Sequence, residues 1–233
     1  MAHICLLLSG AALLLNGLAA LDLLPRRDAA VFSLVIGSTQ LALGVAFLGT
    51  APAGALPGKA SDGGPHLLLG AAGMFLFGLT YVYVGLDFLL GLGSRGLGWF
   101  CGMVAVCGLL LAATWAGADP LLAVLWLCWT YLWLLFFLQL ALGFSGLKPL
   151  IGWSLVLTSA ASATVPAFLG ITGQWPDGPE AAPSAAAGAS VLAFLLLLAA
   201  GFTWRGRRGG PTAPRAAAVV VPVESPLSGE LKL

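Results

Sequence analysis

Seven apolar runs divide this chain, and they restrict its fold more than any other feature. They cover residues 4–21, 29–50, 67–91, 97–116, 121–143, 150–172 and 185–204. A helix of roughly 20 apolar residues is long enough to cross the hydrocarbon core of a bilayer. Strands of a membrane β-barrel would alternate apolar and polar residues instead. The sequence therefore predicts an all-α, polytopic membrane helix bundle, located in the cell membrane.

Composition supports a membrane protein and excludes several other classes. Hydrophobic residues make up 60% of the chain and charged residues 8%, whereas about 25% are charged in a typical soluble domain. The net charge of +1 gives no basic surface for nucleic acid. The four cysteines fall inside apolar runs without a Cys/His cluster, so no metal or other cofactor is expected.

The ten Lys and Arg residues predict the orientation in the membrane. Cytoplasmic loops are enriched in basic residues. An N-terminus outside and a C-terminus inside leaves only Lys59 outside. The nine others are then cytoplasmic: Arg26, Arg27, Arg95, Lys148, Arg205, Arg207, Arg208, Arg215 and Lys232. The opposite orientation would invert this distribution.

The runs and loops predict three regions. Residues 1–172 would form a six-helix core, and residues 173–204 an outer loop with an additional transmembrane helix. Residues 205–233 are rich in Pro, Ala, Val and Ser without a helical period. This composition predicts a flexible cytoplasmic tail.

Polar residues inside the runs are candidates for function, because in lipid each one is unfavourable unless it packs internally or lines a wet path. Possible pore or structural residues are Asn16, Asp87, Gln139, Thr158 and Ser162. Asp87 is the only acidic residue within a run; it is compatible with a helix end in the membrane interface or with ion coupling. No catalytic constellation is present, so an enzyme is not expected.

The fifth run carries Trp126, Trp129 and Trp133 on one helical face. Trp129 and Trp133 would lie near the middle of the membrane, where the interfacial preference of tryptophan does not explain them. They are either bulky packing residues or the wall of a narrow pore, in which indole faces contact a flat neutral solute and N–H groups donate hydrogen bonds.

The third and sixth runs add further candidates. Phe77, Thr80 and Tyr81 lie on one stripe of the third run, which either lines a pore or packs. Pro166 interrupts the backbone hydrogen bonds of the sixth run and frees a carbonyl near Ser162. That carbonyl could bond Ser162 or a solute, or the proline could simply produce a packing kink.

Four motifs give the chain a resemblance to a known family. They are Asn16-Gly17, the run Phe-Gly-Leu-Thr-Tyr-Val-Tyr at 77–83, the tryptophans of the fifth run, and Pro166. Over residues 1–172 the chain resembles the AmiS/UreI family of urea and short-chain amide channels. The resemblance implies a six-helix protomer with its own solute path, assembled into a homohexameric ring. Implied constriction residues are Phe77, Thr80, Tyr81, Trp129 and Trp133, with Trp126 at one mouth.

The chain departs from the family pattern at several positions. The outer loop between its second and third runs has only one histidine, His66, where acid-gated members carry a longer histidine-bearing loop. Thr158 and Gln139 stand where the pattern has glutamates, and Asp87 where it has asparagine. The seventh helix and the basic tail lie beyond the six-helix pattern.

Three functional hypotheses follow. The first is a passive channel for urea or small aliphatic amides through an aromatic-lined pore. The second is a proton-coupled carrier of small solutes, in which Asp87 takes part. The third is a noncatalytic membrane scaffold whose tail recruits a cytosolic partner.

Overall fold

Helices form all the regular structure in the part of the chain that the computed structural model describes, residues 1–50 and 64–209. Their bounds are α1 Ala2–Ala20, α2 Arg26–Gly49, α3 Gly64–Leu90, α4 Arg95–Trp115, α5 Pro120–Leu140, α6 Lys148–Ser159, α7 Val165–Ile171 and α8 Ala181–Gly209. Helices α6 and α7 belong to one span, so the described residues contain seven apolar helices of membrane-crossing length. The predicted all-α bundle is confirmed.

Short turns with specific local chemistry separate the spans. Between α3 and α4, Gly91 and Gly93 adopt positive φ, which glycine tolerates because it has no Cβ. At the start of α5, the Asp119 carboxylate accepts a 2.9 Å hydrogen bond from the Leu122 N–H, and Pro120 occupies the first helical turn, where its missing N–H is not needed. Such short connections keep consecutive helices antiparallel and adjacent.

The sixth span changes its winding instead of breaking at Pro166. Residues Ala160–Thr164 form a π-helical turn between α6 and α7. Pro166 then lies in the first turn of α7, where the absence of an N–H is tolerated. The wide turn accommodates the proline, so the span continues as one helix through the bundle.

Close helix approaches depend on small residues. Helices α2 and α3 pack along their lengths, as do α4 and α5, while α1 packs on α6. A Cβ on Gly17 would lie 2.9 Å from both Leu155 Cβ and Val156 N. A Cβ on Gly37 would lie 2.7 Å from the carbonyl oxygen of Gly78. Glycine at these positions lets the backbones meet, as in other membrane helix pairs.

Helix α8 packs on α5 and α6 and continues past the predicted end of the seventh run. Residues 205–209 were predicted to belong to the flexible tail, but they are helical. Arg207 Nη2 donates a 2.5 Å hydrogen bond to the carbonyl of Gly146, and the Arg208 guanidinium lies 3.5 Å from the Trp204 ring centroid. Two segments lie outside the described residues: 51–63, in the loop between the second and third runs, and 210–233 of the predicted tail.

Candidate functional site

Two cavities lie inside the bundle and share Phe77 and Trp129 as lining residues. The inner cavity, of about 130 Å³, extends to Arg26 and Lys148 at the end that is predicted to be cytoplasmic. The outer cavity, of about 340 Å³, extends to Asp119 at the opposite end. The two shared side chains therefore mark the wall between the cavities.

The wall belongs to an aromatic cluster of Phe77, Tyr81, Trp126, Trp129 and Trp133, and all five side chains are buried. The Phe77 ring centroid lies 4.9 Å from that of Trp129 and 4.8 Å from that of Trp133. It lies 6.0 Å from that of Trp126. At such distances the rings are in van der Waals contact. Phe77 therefore contacts all three tryptophans of the cluster.

Helix packing positions the tryptophans against α3. A Cβ on Gly73 would lie 2.9 Å from Cζ2 of Trp126, so only glycine leaves room for this indole. Trp126 is 4% exposed and lines the outer cavity only. The position at one mouth that the resemblance implied for this residue stays a prediction. The partly exposed side chains of His3, Asp119 and Trp175 line the outer cavity at the end where α1 and α5 begin, which we call its mouth.

Several polar side chains of the predicted pore donate hydrogen bonds to other groups of the protein. The Trp129 indole donates to Ser162 Oγ at 3.3 Å, the Tyr81 hydroxyl to the Ser9 carbonyl at 3.4 Å, and the Thr80 hydroxyl to the Leu76 carbonyl at 2.7 Å. A hydroxyl that donates keeps its lone pairs as acceptors. The hydroxyl groups of Thr80 and Tyr81, residues that line the inner cavity, therefore keep lone pairs that can accept a hydrogen bond.

The indoles of Trp126 and Trp133 differ from that of Trp129. No hydrogen bond within the described residues engages either of their N–H groups. Trp126 lines the outer cavity and Trp133 the inner cavity. One potential donor is thus available on each side of the wall.

The other predicted polar residues separate into two groups. Asn16 and Gln139 line the inner cavity. Asn16 Nδ2 also donates to the Ala12 carbonyl at 2.8 Å and to Ser33 Oγ at 2.9 Å, which joins α1 to α2. Thr158 and Ser162 line neither cavity. Thr158 is fully buried and donates to the Ser154 carbonyl at 2.7 Å, so its contacts are structural.

Asp87 fastens the turn between α3 and α4. Its carboxylate accepts hydrogen bonds from the Ser94 N–H at 2.9 Å and from the Ser94 hydroxyl. The residue is 3% exposed and lines neither cavity. Asp87 is thus a helix-end residue whose side chain is buried within the protein.

Other residues that shape the cavities carry no motif in the sequence. Gln40 is fully buried, and its Nε2 donates to the Cys5 carbonyl and to Ser9 Oγ, both at 2.8 Å. This holds the segment whose Ser9 carbonyl accepts the Tyr81 hydroxyl. A glutamine inside an apolar run was the available signal, but its partners on α1 depend on the tertiary packing.

The rim of the inner cavity is basic. Arg26 and Lys148 line it, and Lys148 Nζ lies 2.8 Å and 2.5 Å from the two carboxylate oxygens of Asp22. The hydrogen bond from Lys148 holds the pKa of Asp22 below its usual value. Among the described lining residues, side chains that carry full charge thus lie at the ends of the cavities and not in the aromatic cluster.

Comparison with known families agrees with this architecture. The family model of AmiS/UreI family transporters matches residues 1–174. The chain belongs to this family. It is 39% identical over 202 residues to the putative transporter protein AmiS2 of Rhodococcus erythropolis, covering 85% of this chain and 91% of that protein. It is 34% identical over 174 residues to a putative amidate substrates transporter protein of Mycolicibacterium smegmatis, covering 73% and 76% respectively.

Solved structures match the same fold. The cryo-EM structure of the Helicobacter pylori urea channel in a closed state aligns with a TM-score of 0.65 and 25% identity, covering 76% of this chain and all of that chain. The crystal structure of the urea channel from the same bacterium gives a TM-score of 0.63 at 24% identity, with the same coverage. The predicted family is confirmed, and this AmiS/UreI transporter is an integral, multi-pass protein of the cell membrane.

Proposed function

We propose that this AmiS/UreI transporter is a passive channel for urea or small aliphatic amides. The observation that carries the proposal is the pair of cavities separated by the wall of Phe77 and Trp129. A route lined by aromatic rings favours a small, flat and neutral solute. An ion would lose its hydration at the wall without a charged partner, which is far more unfavourable than the partial dehydration of an amide.

The polar groups beside the wall complement an amide. The N–H groups of Trp126 and Trp133 can donate to the solute carbonyl, one on each side of the wall. The oxygens of Thr80 and Tyr81 can accept from the solute N–H groups in the inner cavity. Each hydrogen bond replaces one to water, so a solute with both donors and acceptors crosses at the lowest cost. Displacement of the Phe77 ring would open the route.

The position of Asp87 disfavours a proton-coupled carrier. A coupling carboxylate must exchange protons with the transport route. Asp87 lines neither cavity, and its carboxylate is held by Ser94. The scaffold hypothesis depends on residues 210–233, which lie outside the described residues, and no contact within the described part favours it.

Solute flux into proteoliposomes tests the proposal. We expect urea and acetamide to enter faster than glycerol, at a rate that a proton gradient does not change. Trp133→Ala and Tyr81→Ala should alter this flux or its selectivity, whereas Trp204→Ala, at an exposed indole on α8, should not. Unchanged flux and selectivity in both cluster variants, with folding intact, would contradict the site assignment. Absence of urea and amide flux in the unmodified protein would contradict the function.

The arrangement in the membrane forms a second part of the proposal. Residues 1–172 would form the conducting core, with the N-terminus outside and the C-terminus inside, and six protomers would form a ring with one route each. The positive-inside distribution supports the orientation, and the family membership supports the core and the ring. Native mass spectrometry of the detergent-solubilised protein tests the stoichiometry. Labelling of single cysteines in intact cells tests the orientation.

A further inference from the structure

The segment that joins the sixth and seventh spans brings Trp175 to the mouth of the outer cavity. Helix α7 ends at Ile171, Gly173 after it has φ +72°, and the Gln174 N–H donates to the Leu169 carbonyl at 2.7 Å. This sharp ending turns the chain back over the bundle. Residues 172–174 are exposed, whereas Trp175 is partly buried against the core and lines the outer cavity.

Asp119 fixes the position of this indole. One carboxylate oxygen accepts the Trp175 indole N–H at 3.0 Å. The other accepts the Leu122 N–H at 2.9 Å, which caps α5. Both oxygens are thus engaged, and the carboxylate links the joining segment to the helix that carries the tryptophans of the wall.

His3 supports Trp175 from α1. The two ring centroids lie 5.4 Å apart. His3 also packs over Gly170, where a Cβ would overlap the imidazole ring. The first turn of α1 and the start of α5 therefore meet at this indole, and the end of α7 packs against His3. The contacts with His3 and Asp119 hold the Trp175 indole from two helices, so it can act as a fixed wall.

We propose that Trp175 sets the size limit for solutes that enter the outer cavity, and that Asp119 is its positioning residue. The inference rests on the proposed function. A rigid indole at the mouth excludes branched amides before they reach the aromatic cluster, while planar urea and acetamide pass. The chain thus selects solutes twice: by bulk at Trp175, and by hydrogen bonding and flatness at the wall.

The ratio of isobutyramide flux to acetamide flux in proteoliposomes tests this inference. Trp175→Ala should raise the ratio on the order of tenfold, since excluding a small alkyl group is worth about that factor. Asp119→Asn keeps the size of the side chain but turns an NH₂ group toward one of the two N–H donors, so the ratio should rise less. The double variant should not exceed Trp175→Ala alone, because Asp119 acts through Trp175.

Two further variants exclude general loosening of the fold. Trp175→Phe keeps a ring at the mouth but loses the N–H, so its ratio should lie between those of the wild type and Trp175→Ala. Trp204→Ala removes an exposed indole that lines neither cavity and should keep the wild-type ratio. An equal rise in Trp204→Ala would overturn the inference.

The remaining outcomes separate this inference from the proposed function. Wild-type urea and acetamide flux combined with an unchanged ratio in Trp175→Ala and Trp175→Phe overturns the inference alone. Additive effects of Asp119→Asn and Trp175→Ala overturn the positioning role of Asp119. Wild-type protein that conducts neither solute overturns both proposals. Thermal unfolding of each variant verifies that the flux is measured on folded protein.

Discussion

The Trp129 indole N–H donates a hydrogen bond to Ser162 Oγ at 3.3 Å, from the tryptophan helix to the π-helical turn of the sixth span. Trp129 lines both cavities, and Ser162 is fully buried behind it. The bond therefore orients an indole of the wall. It also relates the irregular winding before Pro166 to the position of that indole.

Replacing Ser162 with Ala should destabilise the protein and reduce solute selectivity. The indole N–H would lose its partner in a buried place, which costs about 1–3 kcal/mol. Unfolding in detergent measures stability, and the urea-to-glycerol flux ratio measures selectivity. The matched control is Ser190→Ala, because Ser190 is exposed on α8 and bonds only the Ala186 carbonyl. Equal stability and equal flux ratios in the two variants would contradict the role of this bond.

Phe77→Leu should open the wall to other solutes. The Phe77 ring contacts Trp126, Trp129 and Trp133, and leucine leaves a gap beside them. We expect water and glycerol flux to rise relative to urea flux, with a loss of stability of about 1 kcal/mol from the lost ring contacts. Phe194→Leu, at an exposed phenylalanine on α8, should change neither the relative flux of the solutes nor the stability. A narrower solute preference in Phe77→Leu would argue against Phe77 as part of the barrier.

Gly17→Ala should weaken the contact between α1 and α6. The added Cβ would lie 2.9 Å from Leu155 Cβ, so the helices must separate, which typically costs 1–3 kcal/mol. Gly201→Ala is the control, since nothing lies within 4 Å of a Cβ at that exposed position. Thermal unfolding distinguishes the two. A Gly17→Ala protein as stable as the Gly201→Ala protein would refute the packing explanation of the Asn16-Gly17 motif.

Asp87→Ala should destabilise the protein without making its flux depend on protons. Loss of the carboxylate leaves the partly buried Ser94 N–H without its acceptor, a loss of about 1 kcal/mol. Asp177→Ala, on the exposed outer loop, serves as the control for stability. A wild-type flux that follows the proton gradient, and loses this response in Asp87→Ala, would instead support the coupled carrier.

The ion pair of Lys148 and Asp22 should stabilise the protein at neutral pH and not in acid. Lys148 lowers the pKa of Asp22 in the folded protein. The contribution is therefore fully present above the pKa of the unfolded state, and it disappears as the pH falls through the folded pKa. Melting temperatures of wild type and Lys148→Met should differ most at neutral pH and converge in acid. A constant difference across this range would exclude the ion pair as its source.

The outcomes for individual residues indicate how far the sequence could predict the site. The motif residues Phe77, Thr80, Tyr81, Trp129 and Trp133 were assigned to one region, and the structure brings them together around the inner cavity. Their spacing on two helices fixed which faces could meet. The structural role of Asp87 and the burial of Trp126 could not be predicted from the sequence, because both depend on neighbours from other helices.

Trp175 illustrates the same limit. In the sequence it lies in a loop beside proline and charged residues, where an indole carries no periodic signal. Only the ending of α7 and the carboxylate of Asp119 bring it to the outer cavity. A hydrogen bond between residues 56 positions apart cannot be read from local pattern.

The sequence by itself determined the all-α class, the seven spans and the family. The reason is that bilayer thickness sets the length of every span, and local composition is enough to identify it. The tertiary structure decided which predicted polar groups reach the cavities and which, like Asp87 and Thr158, are used in packing. Lipid supplies no hydrogen-bond partners, so each buried polar group must find one on another helix. Those partners are known only once the helices are packed.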